Sequence, residues 1–269
     1  MRLSVLQHSP ALGETEANLA SVRETLADVT FDLLVLPELF ASGYFFHSAA
    51  QVQAAAEPVP GGPTTEALIE MAQTGGGHVC GGLVEQAGDR LYNSAVLAGP
   101  EGWIGTYRKL HLFYQESRWF TPGDAPPAVY DLGTARVGIL ICFDWRFPEV
   151  ARMLALQGAQ LLLHPANLVQ PHCQAAMVTR ALENRVFIAT ANRIGTDVQP
   201  GGESLTFTGR SQIVDPRGNL LSQAQARESA LLEISIDPSE ADDKTVTATN
   251  HLFEDRRPEH YGILTAPAN

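Results

Sequence analysis

The sequence predicts one α/β domain in which strands are joined both by helices and by hairpins. Two strongly apolar segments, 33–36 and 137–141, are each typical of a buried strand that ends at a loop. Between them, residues 78–108 hold three strand-like segments separated by short turns with glycine, which predicts an antiparallel meander. The 269 residues suffice for one large core, and no low-complexity or repeated segment divides them.

The other elements follow from the periodicity of apolar residues along the chain. Alternation of apolar and polar residues at 3–7 predicts the first strand, and leucine and valine then recur at roughly helical spacing between 12 and 26. Further helices are predicted at 64–72, 148–156 and 175–184, and further strands at 161–163 and 186–191. Segments 211–214 and 230–236 lie on either side of a turn-forming 215–219, which predicts a terminal hairpin.

Charge and cysteine content indicate a cytoplasmic protein that binds neither nucleic acid nor a membrane. The net charge of -12 provides no basic face for phosphates or anionic lipids. Residues 1–6 lack the features of a signal peptide, and no apolar stretch is long enough to span a membrane. Three cysteines cannot all pair, so at least one is a free thiol.

Three residues able to do chemistry lie at the ends of predicted strands. Glu38 follows 33–36, Lys109 follows the last strand of the meander, and Cys142 follows 137–141. Each is weak evidence alone, because a lone cysteine is more often buried filler and a lone charged residue is usually solvated. A thiol with a pKa of about 8.5 needs a base or a nearby positive charge to act as a nucleophile, and Glu38 and Lys109 supply one of each.

Taken together, the three segments resemble the nitrilase or carbon–nitrogen hydrolase superfamily, whose Glu-Lys-Cys triad lies in segments of this form and order. The resemblance covers nearly the whole chain. It extends to Gln115-Glu116-Ser117, which matches the segment of the family's second glutamate, and to 164–167, 180–185, 209–211 with 215–218, and 255–259. Agreement among several segments is more specific than one short motif.

This resemblance implies the superfamily's four-layer α-β-β-α sandwich, with two mixed sheets face to face and helices outside. It implies a single domain over 1–269 and a homodimer or higher oligomer, with 175–185 and the tail at about 250–269 as interface candidates. No metal and no cofactor are expected. The expected partner is a small-molecule amide substrate.

The resemblance also assigns roles to the site residues. Cys142 is expected to be the nucleophile, Glu38 the general base and Lys109 the stabiliser of an oxyanion, helped by the backbone N–H of Phe143. Glu116 is expected to orient Lys109 and the substrate nitrogen. Candidates for the substrate pocket are Tyr44, Phe113, Trp145, Arg146 and Asn167, although aromatic residues near a strand end are more often plain core. Asp144 and Glu149 are predicted to hold the loop after Cys142.

The predicted reaction is hydrolysis of a small aliphatic amide or omega-amide through a cysteine thioester, with release of ammonia and a carboxylic acid. Phe-Asp-Trp follows Cys142 where nitrilases typically have Trp-Glu, which favours amides over nitriles. An N-carbamoyl amine or amino acid substrate is the first alternative, and a nitrilase or an inactive family member is the next.

Two rival sites start from the same cysteines and histidines. A Cys-His site of protease type needs His164, His172 or His251 beside Cys142, but no papain-like segment surrounds it. A metal site built from His164, His172 and Cys173 lacks the usual paired ligand spacing.

Overall fold

Two large β-sheets form the centre of the structure, a computed structural model that describes residues 1–266. The strands in chain order are β1 Arg2–Gln7, β2 Leu33–Val35, β3 Ala56–Glu57, β4 His78–Ala87, β5 Arg90–Gly99, β6 Gly102–Arg108, β7 Val129–Asp131, β8 Arg136–Ile139, β9 Leu161–Pro165, β10 Phe187–Ala191, β11 Thr196–Val198, β12 Ser204–Thr206, β13 Gln212–Val214, β14 Leu220–Gln223, β15 Ala230–Ser235, β16 Thr245–Thr247 and β17 Asn250–His251. The helices are α1 Thr15–Leu26, α2 Ala49–Ala55, α3 Pro63–Gly75, α4 Pro148–Leu156 and α5 Cys173–Asn184.

Both sheets are mixed, as predicted. The first has the order β15-β1-β2-β4-β5-β6, with β3 beside β4, and the second has the order β14-β13-β10-β9-β8-β7. In the first sheet β1, β2 and β4 run parallel, and in the second β8, β9 and β10 do. The outer strands on these paths pair antiparallel, and β4 to β6 form the predicted meander.

The four predicted layers are confirmed by the burial pattern. Along β2, Leu34 packs with the apolar residues of α1 and α3, whereas Leu33 and Val35 belong to the cluster that contains the second sheet. This division follows from the alternation of side chains along a strand. Helices α4 and α5 contribute to the cluster around the second sheet. The core therefore lies between the two sheets and beneath each helical layer.

The predicted terminal hairpin between 211–214 and 230–236 is wrong. The turn after β13 leads directly into β14, since Asp215 Oδ1 accepts hydrogen bonds from the backbone N–H groups of Arg217 and Asn219, 2.8 Å each, and closes the turn tightly. Strand β15 crosses instead to the first sheet, where it pairs antiparallel with β1. The segment between β14 and β15 thereby connects the two sheets.

The C-terminal segment after β17 continues through two short 3₁₀ turns, Pro258–His260 and Gly262–Thr265, and its side chains are largely exposed. Both the predicted domain and the predicted interface tail end at 269, and their last three residues lie outside the described part. Within residues 1–266, no helix is both long enough and apolar enough to cross a membrane.

Candidate active site

The structure brings Glu38, Lys109 and Cys142 together at one end of the two sheets. Glu38 lies three residues beyond β2, Lys109 directly beyond β6, and Cys142 three residues beyond β8. The Lys109 ammonium donates a 2.7 Å hydrogen bond to Glu38 Oε1, and both side chains are completely buried. The predicted strand-end residues thus share one buried site, because the carboxyl ends of β2 and β6 in one sheet and of β8 in the other lie at the same end of the two facing sheets.

The loop that carries Glu38 packs closely against the backbone of β4 at Gly82. A Cβ atom added at Gly82 would lie 2.5 Å from the Leu39 nitrogen and 2.7 Å from Glu38 Cα, so only glycine fits there. Two asparagines complete the support: Asn167 Nδ2 donates to the Glu38 carbonyl oxygen at 2.9 Å, and Asn93 Nδ2 donates to Glu38 Oε1 at 2.7 Å. One asparagine therefore holds the main chain of Glu38, and the other holds its carboxylate.

Glu116 is the fourth polar residue of the site. It lies in the 3₁₀ turn Tyr114–Arg118 and is buried, and its Oε1 accepts 2.7 Å hydrogen bonds from Lys109 Nζ and from the Tyr44 hydroxyl. Lys109 consequently bridges two carboxylates, those of Glu38 and Glu116. The sequence predicted this contact between Glu116 and Lys109.

The protonation of this group follows from burial and charge. Burial raises the pKa of Glu116 to about 7, and the nearby Glu38 adds to the rise, although the Lys109 ammonium opposes both. Burial alone would lower the pKa of Lys109, but the charges of Glu116 and Glu38 outweigh it and hold this pKa above its ordinary value. Lys109 therefore remains an ammonium ion at neutral pH.

Each of the two carboxylates keeps one oxygen free. Glu38 Oε2 and Glu116 Oε2 are buried and accept no hydrogen bond from the described residues. Leaving a buried polar atom unpaired costs about 1–3 kcal/mol, so such atoms need a reason. Both atoms are available to a proton donor that enters the site.

Cys142 has a strained backbone at the start of a 3₁₀ turn, Cys142–Arg146. Its φ is 42°, in the left-handed region that residues with a Cβ atom rarely adopt and that recurs at functional sites. The carbonyl of Cys142 accepts a 3.0 Å hydrogen bond from His164 Nε2, and the other ring nitrogen of His164 is 3.1 Å from Thr190 Oγ1. Since a carbonyl only accepts, Nε2 carries the proton and His164 supports the turn as a neutral ring.

Asp144 holds the same turn from inside. Its Oδ2 accepts from the Ile141 N–H at 2.9 Å and from the Tyr107 hydroxyl at 2.8 Å, while Oδ1 meets the backbone N–H and Nδ1 of His111. The predicted structural role of Asp144 is confirmed. The same prediction for Glu149 is wrong, because Glu149 points into solvent on α4 and forms no ion pair with any described residue.

Burial raises the pKa of the Cys142 thiol well above its ordinary value. The charges of Glu38 and Glu116 raise this pKa further, whereas Lys109 and the backbone N–H of Asn167 oppose the rise. A thiol in this environment keeps its proton until a base removes it. The charges of all three polar neighbours act on the sulfur, which is the arrangement expected of an activated nucleophile.

A small cleft opens onto Cys142. Three of the five predicted pocket residues line it: Phe113, Trp145 and Asn167. Phe143 also lines it, in contact with Phe113 at a ring distance of 5.1 Å. The cleft wall is therefore largely apolar, and Cys142 and Asn167 are among its few polar residues.

The other two residues predicted for the pocket, Tyr44 and Arg146, do not line the cleft. Tyr44 is buried behind the lining and contacts Glu116, so it acts on the carboxylate and is not part of the cleft wall. Arg146 is exposed, with its guanidinium 5.2 Å from the Trp145 ring, and does not line the cleft. The prediction that Arg146 lines the pocket is wrong because its side chain leaves the 3₁₀ turn toward solvent.

Comparison with known proteins identifies the family. Residues 2–244 match the family model described as carbon-nitrogen hydrolase. The chain belongs to the carbon–nitrogen hydrolase family. It is 42% identical over 264 residues to a protein named nitrilase from Pyrococcus abyssi, covering 97% of this chain and 99% of that protein. It is 35% identical to an (R)-stereoselective amidase from a Pseudomonas species, and the match covers 90% of this chain and 87% of that protein.

A solved structure is similar in fold as well as in sequence. An amidase from Nesterenkonia sp. AN1, in a form that shows covalent addition of the acetamide moiety of fluoroacetamide at its active site cysteine, matches this carbon–nitrogen hydrolase with a TM-score of 0.79. The two are 27% identical, and the match covers 98% of this chain and 96% of that one. The four-layer fold is thus the fold of this family.

The rival sites are less compatible with the geometry of this carbon–nitrogen hydrolase. His164 contacts the carbonyl of Cys142 and not its sulfur, and burial lowers the pKa of His164 to about 4, so it is a poor proton acceptor. Among residues 1–266, no group of three or more histidine, cysteine or acidic side chains is arranged to hold a metal ion.

Sequence reasoning gave no role to two residues that support the site. Asn93 donates a hydrogen bond to Glu38, and Tyr107 donates one to Asp144. His164 was considered by name only for the rival sites, and its contact is with the Cys142 carbonyl. Residues 168–170 form part of the cleft wall. The close approach at Gly82 carried a usable signal, since two adjacent glycines inside a strand often mark a close backbone contact.

Proposed function

We propose that this carbon–nitrogen hydrolase cleaves the amide bond of a small aliphatic amide or omega-amide and releases ammonia and a carboxylic acid. The observation that carries the proposal is the buried Lys109 ammonium, held between Glu38 and Glu116 beside the Cys142 thiol. This combination offers a nucleophile, a base and a fixed positive charge in one small cleft, which are the groups that acyl transfer requires.

In the first step Cys142 Sγ attacks the amide carbonyl carbon. Because burial keeps the thiol protonated, Glu38 must take its proton as the carbon–sulfur bond forms, and the free Glu38 Oε2 is the atom available for this. The tetrahedral oxyanion is stabilised by the Lys109 ammonium and by the backbone N–H of Phe143.

The second step releases ammonia. Glu38 gives its proton to the leaving nitrogen, the carbon–nitrogen bond breaks, and a thioester remains on Cys142. Water activated by Glu38 then attacks the thioester, releases the carboxylic acid and restores the thiol. Glu116 keeps Lys109 in place through its Oε1, and its free Oε2 is available to the substrate nitrogen.

The substrate assignment rests on the residues beside Cys142 and on the cleft. Phe143, Asp144 and Trp145 follow the nucleophile, which favours amides, and a similar protein is named an amidase. Nitrile hydrolysis is the second candidate, because the relative that is 42% identical is named a nitrilase. An N-carbamoyl amine would enter the same cleft and follow the same steps.

Ammonia release across a panel of substrates tests the proposal. The panel contains small aliphatic amides, omega-amides, N-carbamoyl amines and nitriles, with the Cys142→Ala variant as the control. We expect the highest kcat/KM with an amide, ping-pong kinetics when hydroxylamine is added as a second acceptor, and unchanged turnover after exhaustive chelation. Full turnover by Cys142→Ala, or a nitrile as the best substrate, would contradict the proposal.

We also propose that the protein is a cytoplasmic homodimer or higher homo-oligomer. All three cysteines are unpaired, as suits a reducing compartment. Leu182 on α5 is exposed, and the adjacent Ile263 and Leu264 in the tail are 79% and 62% exposed, which leaves apolar surface for a partner protomer to cover. Light scattering at low micromolar concentration tests this: a mass of at least two chains is expected, and a monomer would contradict it.

A further inference from the structure

Arg193 is a fully buried cation remote from the proposed chemical steps. It follows β10, is 1% exposed, and makes a bidentate ion pair with Asp197, with both nitrogen–oxygen distances at 2.9 Å. Its guanidinium also donates to the Pro10 carbonyl at 3.3 Å. Because burying a charge is costly even when it is paired, its position calls for an explanation.

The guanidinium of Arg193 lies over an aromatic ring that leads back to the active site. Its central carbon is 3.9 Å from the centroid of the Phe207 ring, within the range of a cation–π contact. Phe207 in turn meets the Tyr44 ring at 6.0 Å with an interplanar angle of 90°, a favourable edge-to-face geometry. The Tyr44 hydroxyl donates to Glu116 Oε1 at 2.7 Å.

Two backbone hydrogen bonds also hold the main chain around Phe207. The Phe207 N–H donates to the Gly195 carbonyl at 2.9 Å, and the next N–H, of Thr208, donates to the carbonyl of Leu168 in the cleft wall at 2.8 Å. Asp197 lies on β11, and Phe207 directly follows β12, the other strand of the same hairpin. Asp197 of the ion pair and the Phe207 ring are therefore attached to the same hairpin.

We propose that Arg193 and Phe207 are positioning residues that hold the Tyr44 hydroxyl on Glu116, so that a buried ion pair outside the cleft sets the charge state of the second carboxylate. This inference rests on the proposed function for its catalytic meaning. In this proposal neither Arg193 nor Phe207 touches the substrate, and both act through Tyr44.

The expected consequence is electrostatic. The hydrogen bond from Tyr44 favours the ionised form of Glu116 and so lowers its pKa, against the effect of burial. The titratable groups that act on Glu116 are Lys109, Glu38 and Tyr44. Near Arg193 the ionisable groups are Asp197 and His8, and His8 is neutral, because burial and Arg193 lower its pKa to about 3. Displacing the Tyr44 ring should therefore raise the pH at which Glu116 ionises.

The test measures how fast iodoacetamide alkylates Cys142 as a function of pH, with the modified peptide quantified by mass spectrometry. The charge of Glu116 acts on Cys142, so the profile should contain a step near pH 7 that Glu116→Gln abolishes. Phe207→Leu keeps an apolar side chain but loses the flat ring. The double variant Arg193→Met with Asp197→Asn removes both charges and leaves no buried ion unpaired.

Both variants, and Tyr44→Phe, should move that step upward by about half to one pH unit, which corresponds to the loss of one hydrogen bond. Combining Tyr44→Phe with Phe207→Leu should give no further shift, because the two act in series. The matched control is Phe31→Leu, a buried phenylalanine in the cluster beneath α1 and α3. It should lower stability and leave the step in place.

A wild-type profile without the step would overturn the inference, as would variants of Phe207 and Arg193 that leave the step where it is. Alkylation requires no turnover, so these results stand even if no amide is hydrolysed. Failure of the proposed function and failure of this inference are therefore distinguishable.

Discussion

Replacing Glu116 with glutamine should remove a pH-dependent part of the free energy of unfolding. An unfolded glutamate has a pKa near 4.5, whereas burial in the folded chain raises the pKa of Glu116 to about 7. Between these values the folded protein binds more protons than the unfolded one, so the free energy of unfolding falls as the pH rises through that window. Below the lower value the two states are protonated alike, and above the upper value the cost of the buried charge is fully present.

The magnitude follows from the difference between the two pKa values. That difference is about 2.5 pKa units, and each unit corresponds to about 1.4 kcal/mol, so the loss of stability over this window is about 3 kcal/mol in the wild-type protein. Glu116→Gln has no titrating group at this position. The difference in stability between the two proteins should therefore change by about that amount across the window.

Urea unfolding followed by tryptophan fluorescence measures this difference at several pH values between about 4.5 and 7.5, at one protein concentration throughout. Glu149→Gln is the matched control, since Glu149 is an exposed glutamate and its substitution should leave the wild-type pH dependence unchanged. If the free energies of unfolding of the wild type and of Glu116→Gln change with pH in parallel, burial does not raise the pKa of this carboxyl and the prediction is wrong.

Three further substitutions test residues that hold the active site in its geometry. Lys109→Met leaves two buried carboxylates without their cation and should lower the free energy of unfolding by about 3–5 kcal/mol and turnover at least about 100-fold; normal ammonia release would argue against the role of Lys109. Gly82→Ala forces the Glu38 loop away and should cost about 1–3 kcal/mol in urea unfolding, whereas Gly201→Ala, which meets no atom within 4 Å, should be neutral. Asp144→Asn places an amide N–H₂ against hydrogen-bond donors and should cost about 1–3 kcal/mol and reduce turnover. An unchanged thermal midpoint and turnover for Asp144→Asn would contradict its role in holding the turn.

The positions of Glu38, Lys109 and Cys142 could be predicted because each follows an apolar or alternating strand. The carboxyl ends of β2 and β8 lie at one edge of the parallel core of each sheet, so residues that follow such strands converge even when they are far apart in sequence. Apolar periodicity also predicted most of the helices and strands and the mixture of helix and hairpin connections, because it records which face of each element is buried. The four layers and the two facing mixed sheets were implied by the family resemblance.

The partners of these residues could not be predicted in the same way. Asn93 and His164 reach the site through hydrogen bonds between segments whose distance in sequence says nothing about their contact in space. Asp144 and Glu149 are five positions apart with the same chemistry, yet one is at the centre of a buried network and the other points into solvent. That difference depends on the direction of each side chain, which composition does not encode.

The pairing partner of β15 could not be predicted from the sequence either. A turn followed by an apolar segment is compatible with either sheet, and β15 pairs with β1 because the first sheet has an open edge there. Arg146 illustrates the same limit at the site: its proximity to Cys142 in sequence suggested the pocket, but the 3₁₀ turn directs it outward onto Trp145.

Cys142 should carry the acyl group of the substrate during turnover, and mass spectrometry of the acid-quenched enzyme tests this most directly. The protein is mixed with a small aliphatic amide, quenched during steady-state turnover and digested at low pH, with Cys142→Ala treated in parallel. We expect the mass of the acyl group on the Cys142 peptide, none on the peptides of Cys80 and Cys173, and no acylation or ammonia in the variant. Ammonia released by Cys142→Ala at the wild-type rate, or an acyl group located on a different residue, would contradict it.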